Sequence, residues 1–199
     1  MSNAFLDAMT ARRSIYAIGK KVNLSEDQIA TLVKQAVKHS PSSFNSQSSR
    51  VVVLFGQQHE KLWDIVKETL RKRVPAESFA TTATKLASFA AGKGTVLFFE
   101  DTQVIDVLQK QFAAYADNFP IWSEHSTGIA QFAVWSTLAQ ENIGATLQHY
   151  NPLIDDEVKS TWNLPDSWKL RAEMPFGSIE QAAKEKTFIS DDERFRVLK

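Results

Sequence analysis

The sequence predicts one domain of mixed helix and strand, with helices dominant and three or four short strands separated by helical segments. Three observations lead there. Apolar side chains recur at helical spacing in several long stretches, as in Ile29, Leu32, Val33, Ala36 and Val37. Two short apolar runs, VVVLF at 51–55 and TVLFFE at 95–100, lack that spacing, adjoin glycines and read as buried strands. The chain of 199 residues can bury one full core, and it shows no internal repeat, low-complexity tract or linker.

In chain order, residues 3–12 set Phe5, Leu6 and Met9 on one helical stripe that runs into Arg12, Arg13 and Ser14. Charges at such a boundary equally serve to offset the negative end of a helix. Ser2, Asn3 and Ala4 are given no functional weight. Ser25 followed by Gln28 is a capping-box pattern, and it opens a helix ending near His39. Next comes SPSSFNSQSSR, Ser40 to Arg50, in which six serines, Asn45 and Gln47 carry neutral hydrogen-bonding groups. Pinned between a helix and a strand, this loop suits either a binding role or a solvated connector.

Residues 58–73 form an amphipathic helix through Leu62, Trp63, Ile65, Val66 and Leu70, closed by Pro75. An alanine-rich helix runs from Ala76 to Ala91, and Gly92-Lys93-Gly94 turns into the second strand. That spacing matches neither phosphate-binding glycine motif. A helix over 102–116 precedes a central one over 123–142, which is uncharged between Gly128 and Gln140 and apolar on more than one stripe. It needs cover on several sides, in part from a second copy of the chain. ATLQHYNP at 145–152 reads as a short strand and turn, Asp155–Trp162 as a helix, and WKLRAEMPFGSI at 168–179 as the last strand. The polar tail from Glu180 to Lys199 carries the apolar residues Phe188, Ile189, Phe195 and Leu198 and orders only by docking.

Composition narrows the chemistry. Lys and Arg number 23, as do Asp and Glu, so no global field recruits nucleic acid or an anionic membrane. No stretch approaches the length of a spanning helix and the start lacks a secretory pattern, so a soluble, cytoplasmic protein is expected. The absence of cysteine removes disulfides, thiolate nucleophiles and cysteine-bound metals. Four scattered histidines form no H-E-x-x-H, and no G-x-S-x-G elbow is present. No metal site is expected. A chain without a catalytic cluster of its own, basic near both ends and rich in neutral polar loop residues, fits chemistry borrowed from a cofactor.

Four segments then occur in a familiar order: ARRS at 11–14, SPSSFNSQSSRVVVL at 40–54, GIAQFAVWSTLAQENIGATLQHYNP at 128–152, and MPFG at 174–177 before a basic tail. Together they resemble the FMN-dependent nitroreductase family, in its fungal and bacterial fatty-acid-regulated subgroup, over almost the whole chain. The resemblance implies an α+β fold, with a small, mostly antiparallel sheet wrapped by helices. It also implies a homodimer with exchanged tails, a single FMN-binding domain over residues 1–199, and sites built by both subunits.

Carried over by position, Arg12, Arg13 and Ser14 correspond to the basic start that holds the FMN phosphate and ribityl chain. Lys184 and Lys186 stand where the family often has Lys followed by Arg, and Arg194 adds a further charge. Pro41, Ser42 and Ser43 resemble the loop lent by the other subunit, with Asn45 and Gln47 turned toward the cofactor. Gln148, His149 and Tyr150 resemble the turn whose backbone faces the reactive edge of the ring. Flavin N5 carries the chemistry, so no catalytic side chain is assigned. Tyr16 is a departure, since many nitroreductases have a basic residue there.

The implied function is an oxidoreductase that moves electrons from NAD(P)H through FMN to nitroaromatic or quinone acceptors by a ping-pong mechanism. A flavin-binding regulator with little turnover is the alternative, motivated by the subgroup and by Tyr16. A cofactor-free helical interaction module is a third possibility.

Overall fold

A five-stranded sheet lies between two groups of helices in the computed structural model, which describes residues 3–199. Ser2 is outside the described residues. Asn3 caps α1 (Ala4–Ala11), its side chain accepting from the amides of Phe5 and Leu6. α2 (Glu26–Lys38) begins with the reciprocal Ser25–Gln28 capping box that the sequence predicts. α3 (Gly56–Arg71) and α4 (Ala76–Ala90) pack on each other, followed later by α5 (Thr102–Gln111), α6 (Phe119–Gln140), α7 (Asp155–Trp162) and the single turn α8 (Asp191–Arg194).

Two helix boundaries differ from expectation. α5 stops at Gln111 because Phe112 leaves helical geometry, φ −124° and ψ 63°, to bring its ring within 4.9 Å of Phe44. Residues 113–118 continue as 3-10 turns, and α6 starts earlier than predicted, at Phe119, with Pro120 in its first turn.

The strands are β1 (Ile18–Gly19), β2 (Ser49–Phe55), β3 (Gly94–Asp101), β4 (Gly144–Ala145) and β5 (Trp168–Ile179). Their order is β1-β5-β3-β2 with β4 also on β5, and every ladder is antiparallel. β3, central, is buried at every position, whereas Val51, Val52 and Val53 of β2 are only half-buried. The unbroken valine run thus marks an edge strand, because among the described residues β2 pairs with β3 alone. β1 was not foreseen. It depends on Gly19 and Gly177 approaching so closely that a Cβ on Gly177 would overlap the Gly19 carbonyl.

One irregularity sets which side chains meet which core. β3 and β5 pair in step until Phe98 faces Ala172, after which Phe99 faces Leu170 and Arg171 is skipped. Phe98, Ala172, Met174 and Phe176 therefore pack on α2 and α6 through Ile29, Val33, Val134 and Leu138. Phe99 and Leu170 pack on the opposite face with Leu62, Trp63, Phe89 and Val158. Among the described residues, no helix is long and apolar enough to cross a membrane.

Candidate functional site

Where α1 ends, the chain runs over the sheet edge. Ser14 forms a bridge to Ala145, and the Ile15 amide donates to the Ala145 carbonyl at 2.9 Å. This track lays Arg12, Arg13, Ser14 and Tyr16 along one wall of a cavity of about 530 Å³. The other wall is the start of the tail, including Lys184 and Lys186. Arg13 joins the two walls by donating from its guanidinium to the Lys184 carbonyl. Four basic side chains thus share one cavity with a single carboxylate, Glu185, an arrangement suited to a phosphate or another multiply charged anion. The Arg12 guanidinium rests over the Trp135 ring, 4.4 Å from its centroid. Tyr16 is 55% exposed at the mouth. Arg194 is not among the residues that line this cavity; it ends α8, and its guanidinium lies over the ring of Phe195, the next residue.

The serine-rich loop is anchored from below. Ser48 and Ser49 donate their hydroxyls to the two oxygens of Glu100 on β3, and Arg50 pairs with Asp101 at 3.0 Å. Burial pushes the Glu100 carboxyl above its ordinary range, and the serine hydroxyls oppose that shift. The loop above is strained: Phe44, Asn45 and Gln47 all have positive φ, near 50°. Non-glycine residues held there cluster at functional sites. The Phe44 ring is fixed by Phe112, Tyr115, Phe119 and Trp122, the last stacked at 5.9 Å. Pro41, Ser42 and Gln47 line a small cavity of about 170 Å³ that reaches Ser126 of α6, while Asn45 lines a separate one of about 410 Å³ beside α5. Ser43 begins the intervening turn and lines neither. Within one chain, then, the loop does not reach the basic cavity.

The third predicted group is split. Gln148 is buried and its amide is used internally, donating to the Thr146 hydroxyl and the Leu147 carbonyl. His149 is exposed. Tyr150 turns its ring inward, edge-on to Trp63 at 5.9 Å, and burial pushes its hydroxyl up to about 12. The backbone of this turn is held inward as well: the Gln148 amide and carbonyl pair with Glu173, the Tyr150 amide donates to the Glu173 carboxyl, and the Tyr150 carbonyl accepts from Leu153, so His149 is its outward member.

Sequence reasoning missed three participants. Glu173, fully buried on β5, lies against the turn and its carboxyl is pushed up to about 8, chiefly by desolvation. A carboxylate inside the run WKLRAEMPFGSI was the available signal. Phe44 stood out as the one aromatic among serines. Trp135 gave no signal, since an aromatic on an apolar helix reads as core.

The small antiparallel sheet between helices, with a basic cavity formed by the two ends of the chain, defines a protein of the nitroreductase fold. The nitroreductase family profile matches residues 9–178. CinD from Lactococcus lactis, solved in complex with chloramphenicol, is 49% identical and superposes with a TM-score of 0.91 over 98% of this chain and 100% of that one. HBN1 of Saccharomyces cerevisiae is 35% identical over 190 residues, 94% of each chain. A Desulfovibrio desulfuricans protein solved with FMN shares the fold at 18% identity, with a TM-score of 0.71 over 98% and 96% of the two chains. The chain belongs to the nitroreductase family, a class of oxidoreductase.

Proposed function

We propose that the protein is a homodimeric FMN oxidoreductase that takes electrons from NAD(P)H and delivers them to nitroaromatic or quinone acceptors in a ping-pong sequence. The reading is carried by the convergence of Arg12, Arg13, Lys184 and Lys186 on one cavity of about 530 Å³. The FMN phosphate bears nearly two negative charges, which suits two guanidinium forks and two ammonium groups. FMN, when bound, would supply the redox chemistry that the chain's own side chains lack.

The chain's own residues bind and orient. Arg12, Arg13, Lys184 and Lys186 hold the phosphate, and Ser14 offers a hydroxyl to the ribityl chain. Arg194, on the far part of the tail, adds charge after exchange between subunits. The turn of Gln148, His149 and Tyr150 would lie beside the ring with His149 as its outward member, because the Gln148 and Tyr150 amides are held by Glu173. Tyr16 lines the cavity without the positive charge that many relatives place there, so from that side it would offer a bound flavin a hydroxyl and an aromatic ring but no charge. Pro41, Ser42, Ser43, Asn45 and Gln47 come from the second subunit, which accounts for their distance from the basic cavity of their own chain.

Two surfaces support the dimer. An open apolar groove of about 390 Å³ runs along α6 between Ile129, Phe132 and Ala133, with Phe5 and Ala8 of α1 on its other side. On the tail, Phe188, Ile189, Phe195 and Leu198 are exposed, Leu198 to 94%. A nitroaromatic acceptor agrees with the chloramphenicol complex of CinD, since that ligand carries a nitrobenzene ring.

The test is a spectrum and an assay. The purified protein is expected to be yellow, dimeric, and to oxidise NADPH or NADH only when a nitroaromatic or quinone is present, with parallel double-reciprocal lines. A colourless protein that FMN cannot reconstitute overturns this function. A yellow dimer inert to both donors points instead to the regulatory reading that Tyr16 motivates.

A further inference from the structure

We infer that Trp135 is the positioning residue that sets Arg12 for the cofactor phosphate; this rests on the FMN reading above. Arg12 sits just past α1, where the backbone has already left the helix, φ −66° and ψ 115°. A long side chain at such a place samples many rotamers unless something fixes it. Its guanidinium carbon lies 4.4 Å from the centroid of the Trp135 ring. A cation resting on an indole face is attracted by the ring quadrupole, and indole is the most favourable aromatic for this. With five N–H donors, the guanidinium keeps some for an anion while it rests on the ring.

The ring itself is fixed. Its indole N–H donates to the Ala145 carbonyl at 3.1 Å, and the same carbonyl accepts the Ile15 amide at 2.9 Å. Ala145 is buried in β4 and also bridges to Ser14. One carbonyl therefore ties both the plane under Arg12 and the backbone that follows Arg12. The ring cannot swing away without losing its bond to the carbonyl that holds the Ser14–Ile15 track. Arg13 is held differently, by the tail carbonyl of Lys184, so the two guanidiniums owe their placement to separate elements. Helix α6 thereby contributes to phosphate binding although Trp135 is not among the residues that line the cavity.

The experiment compares FMN with riboflavin, which lacks the phosphate. Trp135→Met fills volume without an aromatic face, and Trp135→Phe keeps a face without the indole N–H. In flavin fluorescence titrations, W135M is expected to weaken FMN binding about tenfold and riboflavin less than twofold. W135F should lie between W135M and the unaltered protein. R12A combined with W135M should bind FMN no worse than R12A alone. Equal losses for both flavins, or additive losses in the double variant, overturn the inference, because support of the fold alone acts on both ligands. Should W135M fail to fold, W135F decides it: a threefold loss confined to FMN supports the role, and equal losses remove it. Thermal stabilisation by inorganic phosphate separates this inference from the FMN reading. If the unaltered protein binds neither flavin, that reading fails, while a phosphate shift reduced alike in W135M and R12A sustains the Trp135 role and an undiminished shift in W135M overturns it.

Discussion

The amide of Tyr150 donates to Oε2 of Glu173 over 2.8 Å, while the second carboxyl oxygen, Oε1, is buried with no hydrogen-bond partner among the described residues. Leu97 lies across the ladder from Glu173, and Tyr150 packs on the apolar cluster of Trp63, Ile154 and Val158. A charged carboxylate there is costly, so desolvation raises its proton affinity to about 8, against the pull of the Tyr150 and Asn151 amides.

The sign of the resulting pH dependence follows. The folded value lies above the ordinary 4.5, so Glu173's contribution to stability is fully present below pH 4.5 and is lost as pH rises through about 8. Over that window stability should fall by at most about 1.4 kcal/mol per pH unit from this group. Urea denaturation between pH 5 and pH 8.5 checks it: Glu173→Gln should flatten the slope, and an unchanged slope would assign it elsewhere.

The serine-rich loop should depend on its anchor. Glu100→Ala removes the acceptor of the buried Ser48 hydroxyl and of Ser49, at a cost of about 1–3 kcal/mol. Proteolysis within residues 42–47 should accelerate in the folded variant. Cleavage at the original rate would show that the loop holds itself.

Asn45 tests the loop's ligand. Asn45→Gly removes the amide and tolerates φ near 51°, whereas Asn45→Ala removes it and adds backbone strain. Both should weaken FMN binding about three- to tenfold without changing the elution volume of the protein. Flavin retention at full strength in N45G would return the loop to a solvated connector.

Gly177→Ala should separate β1 from β5. The added methyl would overlap the Gly19 carbonyl and lie 3.0 Å from the Lys93 amide, both rigid backbone atoms. A loss of roughly 2 kcal/mol or more is expected, read from the unfolding midpoint. An unperturbed midpoint would mean that the β1 pairing contributes nothing.

Local features were legible where the cause lay within a few residues. The Ser25–Gln28 box is satisfied within one turn, and the bounds of β5 at 168–179 follow from its own composition. Features that depend on a distant partner were not. Val51–Val53 form the same run whether central or at an edge, and only the neighbours of β2 tell which. Phe112 ends α5 because Phe44, far back in the chain, offers its ring.

The sequence by itself determined the main helices apart from the boundary between α5 and α6, the runs of β2, β3 and β5, the uncharged polar loop and the placement of basic residues near both ends. The tertiary structure decided that Arg13 meets the carbonyl of Lys184 across 171 positions, that Arg171 is skipped in the ladder, and that Glu173 is consequently buried on the Trp63 face. The physical reason is periodicity. In a strand the side-chain face alternates with every residue, so one skipped position reverses it, and whether a position is skipped depends on pairing with a strand some 70 residues away.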